Sequence, residues 1–318
     1  MKTELAQKFN EIATEAYEAF PEELGKLVVL LTPSSDMPVY VSPEIADQLT
    51  ESAAGIKEAI KNLSDWMHDK GASGRATRNY NLAGTSVNLI MLDVNNTPGY
   101  YSEQYTKEME LIFNLDHEIG HHILKNGHSA SARQLAESVA DVYAMLRHIQ
   151  RFGKNTGHAG AMAEQAACLL VACANTQHYT TDAVQKAVQI SEEMDISNLS
   201  LHETAALADK IAVDCRLDDK ILEKLSVAFL PVQKVYERQG MVDYALICNE
   251  ALAVMKKHRH DPDIRKAGQQ FLSYPVLKEF MQESARADIY WREALAFLGS
   301  PKANLSKKRS ARGSSPSA

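Results

Sequence analysis

Apolar residues recur along this chain with two periods, and the switch between them divides it. Leu5, Phe9, Ile12, Ala16 and Ala19 fall at helical spacing, which predicts an amphipathic helix over residues 3–20. Leu27 to Leu31 (LVVLL) is a short β-branched run that suits a buried strand. Val39-Tyr40-Val41, between Pro38 and Pro43, predicts a second and shorter one. A helix is expected from Pro43 to His68, weakened around Gly55 and broken by Gly71 to Gly74. Ser86 to Val94 (SVNLIMLDV) is the clearest strand, ended by Asn95, Asn96, Pro98 and Gly99.

Beyond that point the pattern turns helical and stays so. Glu103 to Lys125 predicts one helix, closed by Asn126-Gly127. Ser129 or Ser131 can cap the next, which runs to Phe152 and stops at Gly153. Residues 160–175, 181–194, 201–227, 231–258 and 262–298 all read as helical, with Pro231, Pro262 and Pro275 as punctuation. The expected class is α+β and predominantly helical, a mixed N-terminal half followed by an all-α half. The expected domains are 1–154, a helical domain or subdomain over 155–299, and a disordered basic tail over 300–318.

Charge refines this picture only at the end of the chain. The 318 residues carry a formal charge of −7, but the last nineteen hold five Lys and Arg and no acid, which leaves −12 on the rest. An acidic body argues against general affinity for nucleic acid. Cys168, Cys173, Cys215 and Cys248 are too few and too scattered for a disulfide framework. Glu4, Glu11, Glu15 and Glu18 interrupt any signal-peptide core, and the small-apolar run from Ala159 to Ala174 is too short for a bilayer span. The expected setting is the cytoplasm, without membrane insertion. Delivery into another cell by a specialised secretion system is the secondary expectation, which the basic tail would suit.

The chemistry lies in residues 111–144. His117-Glu118-Ile119-Gly120-His121 is an HExxH motif within a helix whose apolar face is Ile112, Leu115, Ile119 and Ile123. Positions i and i+4 share a helix face, so both imidazoles can reach one ion. Glu118, turned by about 100°, stands beside that ion, where it can take a proton from a bound water. A working zinc needs a third protein ligand and an open position. If the turn around Gly127–Ser129 makes the flanking helices an antiparallel hairpin, Glu137 falls at a height between the two histidines. His128, inside the turn, is the alternative. Asp141, one turn beyond Glu137, can accept the spare N–H of a ligating histidine. His122 points away from His121 and reads as a partly exposed helix residue.

HExxH followed by ExxxD (Glu137 to Asp141) resembles the signature of the gluzincin metallopeptidases, the thermolysin-like group, over about 25 residues. The metzincin pattern is not met, since Leu124 and Gly127 stand where it needs Gly and His. The resemblance implies a zincin-like N-terminal half with Zn2+ on His117, His121 and Glu137, Glu118 as general base and Asp141 behind a histidine. It also implies peptide or protein substrate laid along an edge strand before the motif helix, a place that Ser86 to Val94 occupies. A residue stabilising the developing oxyanion is expected downstream, from Tyr143, His148, His178, Tyr179 or His202, with His178 and Tyr179 preferred. The rival expectation is a zincin-like core that has lost catalysis and serves as a binding or regulatory module. His202-Glu203 reads as a helix N-terminus, and His258-Arg259-His260 as a helix end where cations meet the dipole.

Overall fold

The structure is a computed structural model of the chain. It describes residues 2–32, 38–51, 53–70, 74–95, 105–123, 129–154, 170–173, 175–239 and 243–299. It is α+β and predominantly helical, with one small mixed sheet. The elements are α1 (Lys2–Ala19), α2 (Pro21–Leu24), β1 (Leu27–Thr32), β2 (Tyr40–Val41), α3 (Ala46–Glu51), α4 (Ala53–Lys70), β3 (Gly74–Leu82), β4 (Thr85–Asp93), α5 (Lys107–Ile123) and α6 (Ala130–Phe152). There follow α7 (Thr181–Glu193), α8 (Leu201–Asp214), α9 (Asp219–Ala228), α10 (Leu230–Gln239), α11 (Tyr244–Lys257), α12 (Pro262–Leu272), α13 (Pro275–Ala287) and α14 (Ile289–Gly299). The basic tail and most of the helix expected over 160–175 lie outside the described residues. Among the described residues no helix is long and apolar enough to cross a membrane.

The chain forms two compact units, Met1–Ala166 with Gln177–Asp219, and Ala167–Thr176 with Lys220–Ala318. The sequence-based boundary at residue 154 therefore falls inside the first unit. The reason is packing: Ala183, Val184 and Ala187 of α7 and Ala208, Ile211 and Ala212 of α8 join the same core as α5 and α6. In the second unit, Phe229, Ile247, Leu252, Met255 and Phe271 are buried. Its long predicted helices are each divided, and Pro275 opens α13.

In the first unit the sheet order is β2-β1-β4-β3, with β1 parallel to β4 and the other pairs antiparallel. All six residues of β1 are buried because both faces of the sheet are covered. Leu27, Val29 and Leu31 pack with Ile90 and Leu92 into the core of α1, α5 and α6. Val28 and Leu30 pack with Leu89 and Met91 against Ile56, Ile60 and Met67 of α4. This alternation is the period-2 signature of a strand, concealed in the sequence by an unbroken apolar run.

Two expectations about the sheet need correction. Ser86 to Val94 is an interior strand, hydrogen-bonded to β1 on one side and β3 on the other, so it cannot receive a substrate strand. The sheet edges are β2 and β3, and the one beside Ser86 to Val94 is β3, a strand that the sequence reading left out. β3 is polar (GRATRNYNL), and a bulge between Thr77 and Tyr80, with Asn79 at φ 53°, breaks its alternation. Its hairpin turn is Ala83-Gly84, both at positive φ, in place of the Asn-Gly that usually announces such a turn.

Candidate metal centre

Helix α5 carries the motif and is fixed on three sides. Ile112, Leu115 and Ile119 lie in the main core. Buried Asp116 pairs with Arg151 of α6, which also lies 3.7 Å from Glu15 of α1. At its C-terminal end, Arg78 of β3 donates to the carbonyl oxygens of His122 (2.8 Å) and His121 (3.3 Å), placing a cation where the helix dipole is negative. His122 is buried rather than partly exposed, with Nε2 3.5 Å from the Leu89 carbonyl, and burial pushes it down to about 4.

Gly120 sets the distance between the two helices. A Cβ there would lie 2.9 Å from the Ala140 Cα of α6, so only glycine lets the backbones approach this closely. Helix α6 begins at Ser129, whose hydroxyl accepts from Ala132 N–H. Ser131 does other work: its backbone N–H donates to Asp219 and its hydroxyl accepts from Arg216.

This close approach brings three donors together. His117 Nε2 and His121 Nε2 are 3.0 Å apart, and each lies 3.4 Å from Glu137 Oε2. Zinc–nitrogen and zinc–oxygen bonds of about 2.0–2.2 Å at tetrahedral angles imply ligand separations of about 3.3–3.6 Å, close to these three. Two imidazole nitrogens facing each other at this distance require a proton or a cation between them. Glu137 Oε2 is buried and makes no hydrogen bond of good geometry, which suits an atom that coordinates a metal ion. Burial alone would raise the Glu137 carboxyl, but the imidazoles facing it overrule burial and hold it far below the usual carboxylate range. The donor set fits a divalent cation of zinc's preferences. His117, His121 and Glu137 form the group, and its ligand atoms all lie within 4.8 Å of one another. His128 lies outside the described residues.

Asp141 Oδ1 accepts from His117 Nδ1 at 2.8 Å, which leaves the Nε2 lone pair for the centre. Burial would lower the basicity of His117; the bond to Asp141 and its charge raise it well above normal. Thr180 continues the chain of contacts, donating to Asp141 Oδ2 at 2.5 Å. Thr180 is also the N-cap of α7, yet its side chain makes no capping bond there. A capping bond of about 1 kcal/mol is thus forgone for the contact to Asp141.

The segment 178–180 reads one face of α6. His178 Nδ1 lies 3.2 Å from Glu137 Oε2, the Tyr179 carbonyl accepts from Gln134, and Thr180 binds Asp141. Burial lowers the basicity of His178, but Glu137 outweighs it and the net shift is upward. Of the expected oxyanion residues, His178 is therefore the one brought to the group. Tyr179 is buried, Tyr143 is fully buried in the core, His148 sits among Tyr105, Phe113 and Phe152, and His202 packs on Phe20. Ser200 and Glu203 form a reciprocal capping box, the helix start read from His202-Glu203.

Glu118 stands to the side of the three donors, under β3. A Cβ on Gly74 would meet Glu118 Oε1 at 2.6 Å, and Ala76 N–H donates to the carboxylate. Burial raises its pKa, with the neighbouring histidines opposing. A groove of about 450 Å³ opens here, walled by Arg75 to Arg78 of β3 and by His121, His122 and Glu137. Gly74, Ala76, Arg78 and Thr180 were not singled out from the sequence. The Thr180-Thr181-Asp182 helix start was the one local signal available.

No known protein family, curated protein or solved structure matches this chain.

Proposed function

We propose that the chain is a zinc-dependent metallopeptidase of gluzincin type, hydrolysing a peptide bond in a peptide or protein substrate, with the cytoplasm as its setting. The observation that carries this reading is the convergence of His117, His121 and Glu137 close to tetrahedral ligand spacing, with a buried carboxylate, Glu118, beside them and not among them. Zinc held there would polarise a peptide carbonyl and acidify water.

The chain's own residues supply the rest. Glu118, made more basic by burial, takes the proton of the attacking water and returns it to the leaving amine. Its hydrogen bond from Ala76 N–H fixes the carboxylate against the strand that walls the groove. Asp141 and Thr180 hold the His117 ring in one tautomer and orientation. His178, beside Glu137, is the donor available to a developing oxyanion. An extended substrate has a strand edge to follow at β3, directly above Glu118.

Metal analysis and cleavage of a peptide library by the full chain test the reading. Glu118→Gln is expected to keep zinc and lose about a thousand-fold or more in hydrolysis; full activity sinks the mechanism. Glu137→Ala is expected to release zinc at concentrations that saturate the wild type. Unchanged zinc content would move the third ligand elsewhere.

A further inference from the structure

Strand β3 stands between two cavities. Behind it, against α4, lies a cavity of about 370 Å³ walled by Leu63 and Trp66 of α4, Arg75, Thr77 and Tyr80 of β3, and Met91 of β4. Arg75 and Thr77 also border the groove that holds His121 and Glu137, so the two spaces meet across the strand. Strand side chains alternate. Gly74 and Ala76 face Glu118 on one side, while Arg75 and Thr77 face α4 on the other.

Among the described residues, Arg75 is the only charged one lining the rear cavity. Its guanidinium lies over the Trp66 ring, 4.4 Å from the centroid, and its Nε donates to Thr77 Oγ1 at 3.2 Å. The group is held by its face and by one edge. Among the described residues no carboxylate pairs with it, and the two terminal nitrogens remain available. A guanidinium held this way is arranged for a bidentate carboxylate and has already lost much of its rotational freedom.

We propose that the rear cavity is a substrate subsite for an acidic side chain, a Glu or Asp adjacent in sequence to the residue lying over the metal group. The proposal rests on the peptidase reading above. A peptide paired with the outer edge of β3, which no described strand covers, alternates in phase with it. The residue beside Ala76 faces the metal group, and its neighbours, beside Arg75 and Thr77, face α4. The carboxylate meets Arg75, and the methylenes of a Glu lie along Leu63 and Met91, both buried in the core behind the strand.

The test uses the full-length, zinc-loaded protein and decapeptides carrying Glu, Gln or Lys at each position in turn. The expected result is a preference of about tenfold in kcat/KM for Glu over Gln at one position next to the cleaved bond. Arg75→Gln should level that preference, and Arg75→Glu should turn it towards Lys. Equal rates for Glu and Gln at every position, or a preference that survives Arg75→Gln, overturn the proposal. Binding gives a readout independent of hydrolysis. Trp66 is one of two tryptophans, so in a Glu118→Gln, Trp291→Phe background its fluorescence should respond to the acidic peptides and lose that response with Arg75→Gln. An acid-dependent signal without any cleavage by the wild-type chain would keep the subsite and remove the peptidase reading. Cleavage without discrimination would do the reverse.

Discussion

The helical hairpin α5–α6 and the edge strand β3 meet at Glu118 and where Arg78 caps α5, and are built on different rules. The hairpin is fixed by side chains: Gly120 against Ala140, Asp116 against Arg151, His117 against Asp141, and then Asp141 against Thr180. The strand is fixed by its backbone ladder to β4, and most of its side chains are partly or fully exposed. Donor positions that must agree within a few tenths of an ångström are placed on the rigid, buried part. Under the proposed function, contacts that would meet varied substrates fall on the open edge, and a site on these two supports would separate affinity for the ion from selection of what reaches it.

That division can be broken at the carboxylate. Gly74→Ala puts a Cβ where Glu118 Oε1 now lies. The far end of a flexible side chain can yield, so fold and zinc content are expected to hold, while a base displaced by about 1 Å costs about a hundred-fold in kcat. Zinc lost together with activity would show that strand and hairpin are not separable.

A smaller effect tests the hairpin alone. Thr180→Val removes the hydroxyl that Asp141 Oδ2 accepts and is expected to weaken zinc binding about 10–100-fold, with Thr180→Ser restoring it. Competition with a chelator of known affinity measures it. An unchanged affinity would confine the effect of Thr180 to the start of α7.

The smallest effect lies in the packing behind the hairpin. Burial, with Arg151 adding to it, pushes His148 down to about 4. Unfolded, it titrates at about 6.5, so between pH 6.5 and 4 the unfolded chain binds a proton that the folded one refuses. Stability from this residue is full above pH 6.5 and is lost as pH falls, by about 2 kcal/mol between pH 7 and 5. Urea unfolding at both values, compared with His148→Phe, isolates it. An identical pH slope in the variant would assign the loss to other groups, His122 first among them.

The hairpin was legible in the sequence because its chemistry and its packing coincide. HExxH sits on the apolar period of α5, and Glu137 and Asp141 of α6 meet its two histidines. Gly120 lay inside the motif as an unspecified position, although the approach of Ala140 makes it the residue that sets the helix spacing. Strand β3 was illegible for the opposite reason. It is polar, its bulge at Thr77–Tyr80 destroys the two-residue period, and its turn is Ala83-Gly84. Ser86 to Val94 was readable as a strand but not as an interior one, because pairing order is a property of the sheet. Thr180 and His178 reach the centre only through tertiary packing, which spacing along the chain does not encode.

The segment 178–180 also sets a clock on assembly. Tyr179 and Thr180 reach back 45 and 39 positions to α6. During synthesis at about 5–20 residues per second, the whole hairpin, which ends at Phe152, has been made about 1–6 s before residues 178–180 are added. In that interval His117, His121 and Glu137 can converge while Asp141 still lacks Thr180 and Glu137 still lacks His178. If the proposed function holds, a nascent chain would bind metal weakly at first and tightly only once this late segment docks.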